Sequence, residues 1–232
     1  MNNWLNIIQK KLLPPRCIFC EAEGYADFDL CAVCAGQLQN NSPCCPRCAQ
    51  PFEAGQPDEI VCGRCIASPP WFDAAYAPYL YDEYLQHLIT GLKYRQRIVH
   101  ARLLGRLLAA HVGTQANRPD CLIPVPLYPQ RYRERGFNQA LEIARVIARE
   151  LDIALDISGC IRVRDTGHQT GSTARQRRKN LRGAFELRTP LPYHHVAIVD
   201  DVMTTGATVN ALAASLKRGG VSKIDVWVCA RA

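Results

Sequence analysis

Four Cys-x-x-Cys pairs between residues 17 and 65 constrain this chain more than any other feature of its sequence. The pairs are Cys17/Cys20, Cys31/Cys34, Cys45/Cys48 and Cys62/Cys65, which use eight of the 12 cysteines. A pair with this spacing presents two thiolates to one metal ion, and a tetrahedral zinc site needs two such pairs. The start of the chain lacks the ordered regions of a secretory signal. We therefore expect a cytoplasmic protein in which these cysteines bind metal rather than form disulfides.

The spacing between the pairs suggests how they share zinc. Ten residues separate the first pair from the second and 13 separate the third from the fourth, which suits two zinc ribbons in series. The spacing also permits an interleaved arrangement, first pair with third and second with fourth. Cys44 is left as a spare thiol. Because residues 1–70 contain few large apolar side chains, we expect two structural Zn²⁺ ions to supply folding energy to this N-terminal module.

The positive charge of the chain is concentrated in one stretch. The net charge is +7, and residues 161–188 alone hold eight basic and two acidic side chains. The basic residues are Arg162, Arg164, Arg175, Arg177, Arg178, Lys179, Arg182 and Arg188. Such a run suits a polyphosphate ligand or a nucleic acid, although a solvated helix face is the alternative. The run has no closely spaced aromatic residues, which weakens any expectation of contact with bases.

Beyond about residue 70 the pattern becomes one of alternating strands and helices. Apolar runs predict strands at 121–125, 196–199 and 224–230. Helical spacing predicts helices around 85–92, 103–108, 137–151 and 209–216. This order favours an α/β domain with a mostly parallel sheet over residues 71–232, preceded by the zinc module of residues 1–70. The apolar runs are too short to cross a bilayer, so we expect no membrane insertion.

The most informative stretch is residues 196–208, Val-Ala-Ile-Val-Asp-Asp-Val-Met-Thr-Thr-Gly-Ala-Thr. It delivers two adjacent carboxylates, Asp200 and Asp201, to the end of a buried strand, where open α/β sheets bind their ligands. A small, hydroxyl-rich loop then opens a helix, whose free N–H groups and dipole favour a phosphate. An acidic pair followed by such a loop fits a sugar phosphate. A simple N-cap would account for one threonine but not for two buried aspartates.

These thirteen residues resemble the phosphoribosyl-pyrophosphate (PRPP) motif of type I phosphoribosyltransferases. Further matches are spread along the chain: Cys45-Pro-Arg-Cys48, Cys62-Gly-Arg-Cys65, Gly91-Leu-Lys-Tyr94, Pro124-Val-Pro126, Arg133-Glu-Arg-Gly-Phe-Asn-Gln139 and Asn180-Leu-Arg-Gly-Ala-Phe185. Together with the cysteine pairs, they make the chain similar to the ComF family of competence-associated proteins, including its GntX-type members. The resemblance implies a double zinc ribbon joined to a type I phosphoribosyltransferase-like domain, and a link to DNA uptake in natural transformation.

The resemblance also implies roles for individual residues. Asp200 and Asp201 would hold the ribose hydroxyls and Mg²⁺, and Arg175 is the third residue expected to act in catalysis. The 5-phosphate would lie on the loop of Thr204, Thr205, Gly206, Ala207 and Thr208. The pyrophosphate loop and lid would supply Arg131, Arg133, Arg135, Arg178 and Lys179, with Gln169 a weaker candidate. Lys93 either points toward this site or is a solvated helix lysine.

Three functions remain open at this level. One is a PRPP-binding protein of DNA uptake that handles single-stranded DNA alongside other DNA-uptake proteins. The second is a transferase of nucleotide salvage that moves phosphoribose from PRPP to a small acceptor, which the sequence does not identify. The third is a PRPP sensor or regulator, although no helix-turn-helix pattern is evident.

Overall fold

The computed structural model describes residues 14–56, 60–165, 181 and 183–232. The chain divides into two compact units, Met1–Gln39 and Asn40–Ala232. The sequence-based boundary at residue 70 stays a prediction about domain organisation. In the structure, the third and fourth cysteine pairs belong to the same compact unit as the sheet. Within the described residues, no helix has the length and apolar character needed to span a membrane.

The smaller unit is built around the first cluster of four cysteines. Helix α1 (Ala32–Ala35) begins at Cys31, whose sulfur accepts a hydrogen bond from the Cys34 N–H at 3.4 Å. Burial opposes ionisation of Cys17, but the backbone N–H groups around it outweigh this effect and lower its pKa to about 6. The backbone is therefore arranged to stabilise a thiolate, which is the form that binds zinc.

The larger unit holds the second cluster, which includes Cys62 and Cys65 at the two ends of the first turn of helix α2 (Gly63–Ala67). In each cluster the four sulfurs lie within 4.8 Å of one another. The Cys48 and Cys62 sulfurs are 3.7 Å apart, as are those of Cys20 and Cys34. Tetrahedral zinc with Zn–S bonds of about 2.3 Å places its sulfurs about 3.8 Å apart. Both clusters fit zinc, and the serial pairing is confirmed over the interleaved one.

Parallel strands form the centre of the larger unit. The strands are β1 (Ala74–Tyr76), β2 (Tyr79–Leu80), β3 (Cys121–Pro124), β4 (Ala154–Leu155), β5 (Cys160–Arg162), β6 (Phe185–Leu187), β7 (His195–Met203) and β8 (Lys223–Arg231). In the described residues one sheet has the order β1-β8-β7-β3-β4, with β2 also paired to β8, and every pairing is parallel. Strands β5 and β6 form a separate antiparallel pair. The mostly parallel α/β fold is confirmed.

Helices connect and cover the strands. They are α3 (Glu83–Arg95), α4 (Ile98–Gln115), α5 (Pro129–Arg135), α6 (Gln139–Leu151) and α7 (Ala207–Arg218). Side chains cap α3 and α6, because Asp82 accepts from the Leu85 N–H and Asn138 accepts from the Ala140 N–H. Helices α4 and α6 pack on each other and on the sheet, while α7 packs on β6, β7 and β8. All the strands and helices predicted beyond residue 70 are present near their expected positions.

One buried arginine ties the second cysteine cluster to the sheet. Arg231, on the last strand, is 2% exposed. Its guanidinium donates to the carbonyl oxygen of Cys48 at 3.2 Å, to Gln50 Oε1 at 2.8 Å and to the carbonyl oxygen of Met203 at 2.9 Å. Cys45, Cys48 and Cys65 also belong to the hydrophobic core that contains the sheet. The second cluster is therefore part of the folded core of the larger unit.

We expect the wild-type chain to bind two zinc ions, with Cys45 as a ligand and its neighbour Cys44 as a bystander. Cys45→Ser should reduce the metal content to about one zinc and lower the unfolding temperature, because structural zinc contributes directly to folding. Cys44→Ser is the matched control and should retain both ions. Elemental analysis and thermal unfolding measure the two effects. Equal zinc loss in both variants would contradict this ligand assignment.

Candidate functional site

Two carboxylates lie where the central strand leaves the core. Strand β7 runs between β3 and β8, and its residues 195–199 are all buried. Asp200 follows them and is partly accessible, while Asp201 is only 3% exposed. The Asp201 N–H donates to Asp200 Oδ1 at 2.9 Å. Because parallel strands present their carboxyl ends at one edge, the pair lies where α/β folds bind ligands.

A lysine from a distant helix pairs with the inner carboxylate. Lys93 is in the last turn of α3, and its Nζ forms an ion pair with Asp201 Oδ2. The Lys93 side chain is 22% exposed and that of Asp201 is 5% exposed. Of the two roles left open for Lys93 by the sequence, the structure shows the one directed at the site.

The electrostatics of the two carboxylates differ. Burial and the neighbouring charge of Asp201 raise the pKa of Asp200 well above its ordinary value, although Lys93 acts in the opposite direction. Burial alone would lower the pKa of Lys93, but the charges of Asp201 and Asp200 outweigh it, so the pKa of this lysine is raised. The protein thus provides a cation for one carboxylate and resists ionisation of the other.

The loop after β7 has the geometry of an anion-binding turn. Gly206 has a φ of 73°, a left-handed conformation that glycine adopts without strain, and it caps the start of α7. The Ala207 N–H is 3.4 Å from Thr205 Oγ1, and the Asn210 N–H closes the first helical turn onto the Gly206 carbonyl. The first N–H groups of a helix have no partner within it and carry its positive dipole end. An anion placed here would meet backbone donors and threonine hydroxyls.

The acidic pair and the loop open into one cavity of about 400 Å³. Residues 200–208 form one wall. Arg131 and Arg135, at opposite ends of α5, line the cavity, whereas Arg133 is exposed and is not among the lining residues. Arg135 also donates to Gln139 Oε1 at 3.1 Å and lies 5.8 Å from the centre of the Tyr94 ring. The cavity therefore has carboxylates, a phosphate-sized turn and guanidinium groups around one space.

Two further lining residues were not predicted as site residues. Arg162 ends β5, and its guanidinium lies over the Phe185 ring at 5.7 Å. Burial lowers the pKa of Arg162, while the charges of Asp165 and Asp200 act to raise it. The charge of Asp200 therefore acts directly on this arginine. Tyr81 lies between β2 and α3, where its N–H donates to the carbonyl of Arg231. Membership of the basic run was a signal for Arg162, whereas the local sequence gives none for Tyr81.

The lid predicted from the sequence lies outside the described residues. This applies to Arg175, Arg178 and Lys179, to Gln169 and to Arg177. Their assignment to catalysis or to pyrophosphate binding stays a prediction. The described part of the cavity already contains three arginines, which are Arg131, Arg135 and Arg162.

Comparison with known proteins finds two family models and several relatives that cover 94% of the chain. The double zinc ribbon domain family matches residues 8–66 and the phosphoribosyl transferase domain family matches residues 138–232. A DNA utilization protein YhgH of Salmonella typhi is 36% identical over an alignment of 225 residues, which covers 94% of this chain and 98% of that protein. Competence protein F of Haemophilus influenzae is 36% identical over an alignment of 226 residues, which covers 94% of this chain and 97% of that protein.

Similarity to solved structures is weaker. A glutamine PRPP amidotransferase from B. subtilis, complexed with ADP and GMP, aligns with 55% of this chain and 25% of its own chain. The sequence identity is 20% and the TM-score is 0.38. A likeness of this size does not bear on function.

Replacing Lys93 by Met should destabilise the larger unit by about 3 kcal/mol, because it leaves Asp201 as a buried charge without its cation. Adding Asp201→Asn to Lys93→Met should recover most of this loss, because the uncompensated charge is then removed. Urea unfolding followed through Trp227, which is 1% exposed on β8, measures both. Purely additive effects of the two substitutions would contradict a direct ion pair.

Proposed function

The chain belongs to the ComF family, and on that premise we propose that it is a cytoplasmic protein that handles single-stranded DNA during DNA uptake. We also propose that its larger unit binds PRPP with Mg²⁺. The observation that carries the PRPP half is the shared cavity of the acidic pair and the phosphate loop. The names of the relatives, DNA utilization protein and competence protein, support the DNA half. Other proteins of DNA uptake are its expected partners.

The residues of the cavity suit the successive parts of PRPP. Carboxylates accept hydrogen bonds from ribose hydroxyls, which fits Asp200 and Asp201. The loop of residues 204–208 offers N–H and hydroxyl donors to the 5-phosphate. Arg131, Arg135 and Arg162 offer planar forks that can grip pyrophosphate oxygens in pairs.

The chemistry of the acidic pair also fits Mg²⁺. Hard cations prefer carboxylate oxygens, and Mg²⁺ is commonly held by one or two carboxylates together with substrate phosphates. Asp200 is the carboxylate whose pKa is raised by burial and by Asp201. A divalent cation brought in with PRPP would offset the like charges and favour the ionised form of Asp200. When bound, the ion would neutralise charge on the pyrophosphate.

The cavity is equipped to stabilise charge rather than to attack the substrate. Displacement of pyrophosphate at the anomeric carbon passes through a cation-like transition state and needs no protein nucleophile. Arginines aimed at the leaving group would supply electrostatic stabilisation of the kind that dominates such reactions. The same set of residues suits a transferase or a PRPP sensor, and the two differ in whether pyrophosphate is released.

A surface beside the cavity supports binding of nucleic acid. Tyr94 is 69% exposed and Tyr132 is 48% exposed. They lie on α3 and α5, which meet where Gln96 Nε2 approaches the carbonyl of Arg135 at 3.5 Å. We call these two residues and the arginines around them the tyrosine–arginine rim; the arginines are Arg95, Arg97, Arg131, Arg133 and Arg135. Exposed rings beside cations are the combination that binds single strands, by stacking and by phosphate contact.

The rim supplies the aromatic residues for base stacking that the basic run of the sequence lacks. The basic run of residues 161–188 lacks closely spaced aromatic residues, which argued against contact with bases. The fold instead brings Arg135, which lies three residues after Tyr132 on α5, to 5.8 Å from the ring centre of Tyr94, a residue about 40 positions earlier in the sequence. Glu134 is an acidic residue within the rim, and it pairs with Arg131 at 3.5 Å. The rim therefore keeps a positive balance.

Asp200→Asn should abolish measurable PRPP binding while making the protein more stable. Without added Mg²⁺, the raised pKa of Asp200 means that ionisation of this group costs stability at neutral pH. That cost is absent below the ordinary carboxyl pKa of about 4, grows as pH rises from there toward the raised folded pKa, and is constant above it. The unfolding temperature of Asp200→Asn should therefore exceed that of wild type by at least about 2 °C at pH 7.5, and by less at pH 4.5.

Isothermal titration with PRPP and Mg²⁺ tests whether Asp200→Asn loses PRPP binding. Thermal unfolding at pH 7.5 and pH 4.5 tests whether the variant is more stable than wild type. The higher stability of Asp200→Asn separates a lost ligand contact from misfolding. Wild-type affinity in this variant would overturn the proposed PRPP site. Release of pyrophosphate in an acceptor screen would identify a transferase, and tight binding without release would identify a sensor.

Tyr94→Ala and Tyr132→Ala should each weaken binding of a single-stranded oligothymidine about tenfold, because one stacked base contributes about 1–3 kcal/mol. Tyr25→Ala is the matched control, since Tyr25 is 65% exposed in the smaller unit. Arg95→Ala should instead reduce the slope of log affinity against log salt by about 0.7, as expected for one phosphate contact. Filter binding across a salt series measures all four. Equal losses in the Tyr25 and rim variants would contradict a specific platform.

A further inference from the structure

A second and larger cavity also borders the loop of residues 204–208. Its volume is about 770 Å³, within the usual range of ligand sites. The larger unit lines it with residues 64–72, residues 203–207 of the loop and the exposed side of α7, together with Cys48, Leu181 and Gly183. Met203, Thr205, Gly206 and Ala207 line both cavities. The phosphate loop is therefore the wall that the two cavities share.

An exposed tryptophan stands at this second cavity. Trp71 is 54% exposed, although an indole of this size is usually buried. Its backbone is fixed by two contacts. The backbone N–H of Trp71 donates to Asn210 Oδ1 on α7 at 2.7 Å, and the next residue, Phe72, is 3% exposed in the core. Two prolines, Pro69 and Pro70, precede it and restrict the backbone. A large, exposed ring carried at a cavity on a fixed backbone is a stacking platform with a reduced ordering cost.

The charged side chains at the cavity are both arginines. Among the described residues that line it, none is acidic. Arg64 approaches the Cys48 sulfur at 3.7 Å, so its charge offsets the thiolates of the cysteine cluster at that wall. Arg218, at the end of α7, donates to Ser215 Oγ at 3.0 Å and has further donors to offer. Its guanidinium is suited to a phosphate oxygen.

We propose that this cavity binds a second nucleoside, esterified to the phosphate on the loop, with its base stacked on Trp71. The inference rests on the proposed function in one respect, namely that the loop of residues 204–208 holds a phosphate. A 5-phosphate monoester such as that of PRPP ends at the loop. In a phosphodiester, the remaining ester oxygen leads to the 3′ oxygen of the preceding nucleoside, and the second cavity receives it. The ligand class is thus a single-stranded oligonucleotide that straddles the phosphate loop.

The test compares a dinucleotide with a mononucleotide on the full-length, zinc-loaded chain. The probes are thymidylyl-(3′→5′)-thymidine and thymidine 5′-monophosphate. Isothermal titration measures their affinities, and tryptophan emission reports contact with Trp71. The dinucleotide should bind about tenfold more tightly and quench emission, because it adds one stacked base. Trp71→Phe keeps an aromatic platform and should retain the affinity while losing most of the quench. Trp71→Ala should bring the two probes within about twofold of each other, since the stacking contribution is then absent.

Two further measurements separate this cavity from the PRPP site. Arg218→Gln should weaken binding of the 5′-phosphorylated dinucleotide, whose second phosphate enters this cavity, several-fold without affecting the mononucleotide. PRPP titration of Trp71→Ala should give the wild-type affinity, which also shows that the variant is folded. Equal affinity of wild type for both probes, or a preference for the dinucleotide that persists in Trp71→Ala, would overturn the proposal. Failure of PRPP to bind while the dinucleotide quenches Trp71 would count against the proposed function and leave this inference standing.

Discussion

The larger unit is organised around two adjacent carboxylates on its central strand, β7. Placing charge there is costly, and the surrounding elements meet that cost in different ways. Helix α3 brings Lys93 to Asp201, and Asp200 keeps one face toward the cavity. On the neighbouring strand β8, burial raises the pKa of Cys229 well above its ordinary value, with a contribution from both carboxylates, so this thiol adds no charge beneath them. The field of the acidic pair is thereby directed into the cavity.

The parts of the site that could be predicted from the sequence are those encoded locally. A run of four apolar residues, two aspartates and a small hydroxyl-rich loop specify a strand, its polar end and a helix start within thirteen residues. The residues that join this site from elsewhere in the chain were harder to predict. Lys93, Tyr81 and Arg162 reach the cavity from segments about 40 to 120 residues away in sequence. The sequence pattern around a lysine on an amphipathic helix is the same whether the lysine faces water or a buried carboxylate. Only the packing of α3 decides between them.

The pairing of the cysteines also depends on contacts that the local sequence does not specify. Their number and spacing predicted two zinc sites, but serial and interleaved pairings both satisfy tetrahedral coordination. The structure selects the serial pairing and divides the two clusters between the compact units, with the division after Gln39. No local signal predicts that the second cluster belongs with the sheet. That association depends on contacts of Arg231 with Cys48 and Gln50, which lie about 180 residues away in the sequence.

The same arginine couples the second zinc site to the proposed phosphate site. Arg231 donates to the carbonyl of Cys48, a zinc ligand, and to the carbonyl of Met203, the residue that precedes the phosphate loop. Because it is almost completely buried, losing either acceptor would leave part of a buried guanidinium unpaired, at a cost of about 1–3 kcal/mol. The position of the loop therefore depends on the folding of the cysteine cluster. Zinc bound at this cluster would act on the proposed phosphate site by holding the backbone of the loop in place, without itself contacting a ligand there.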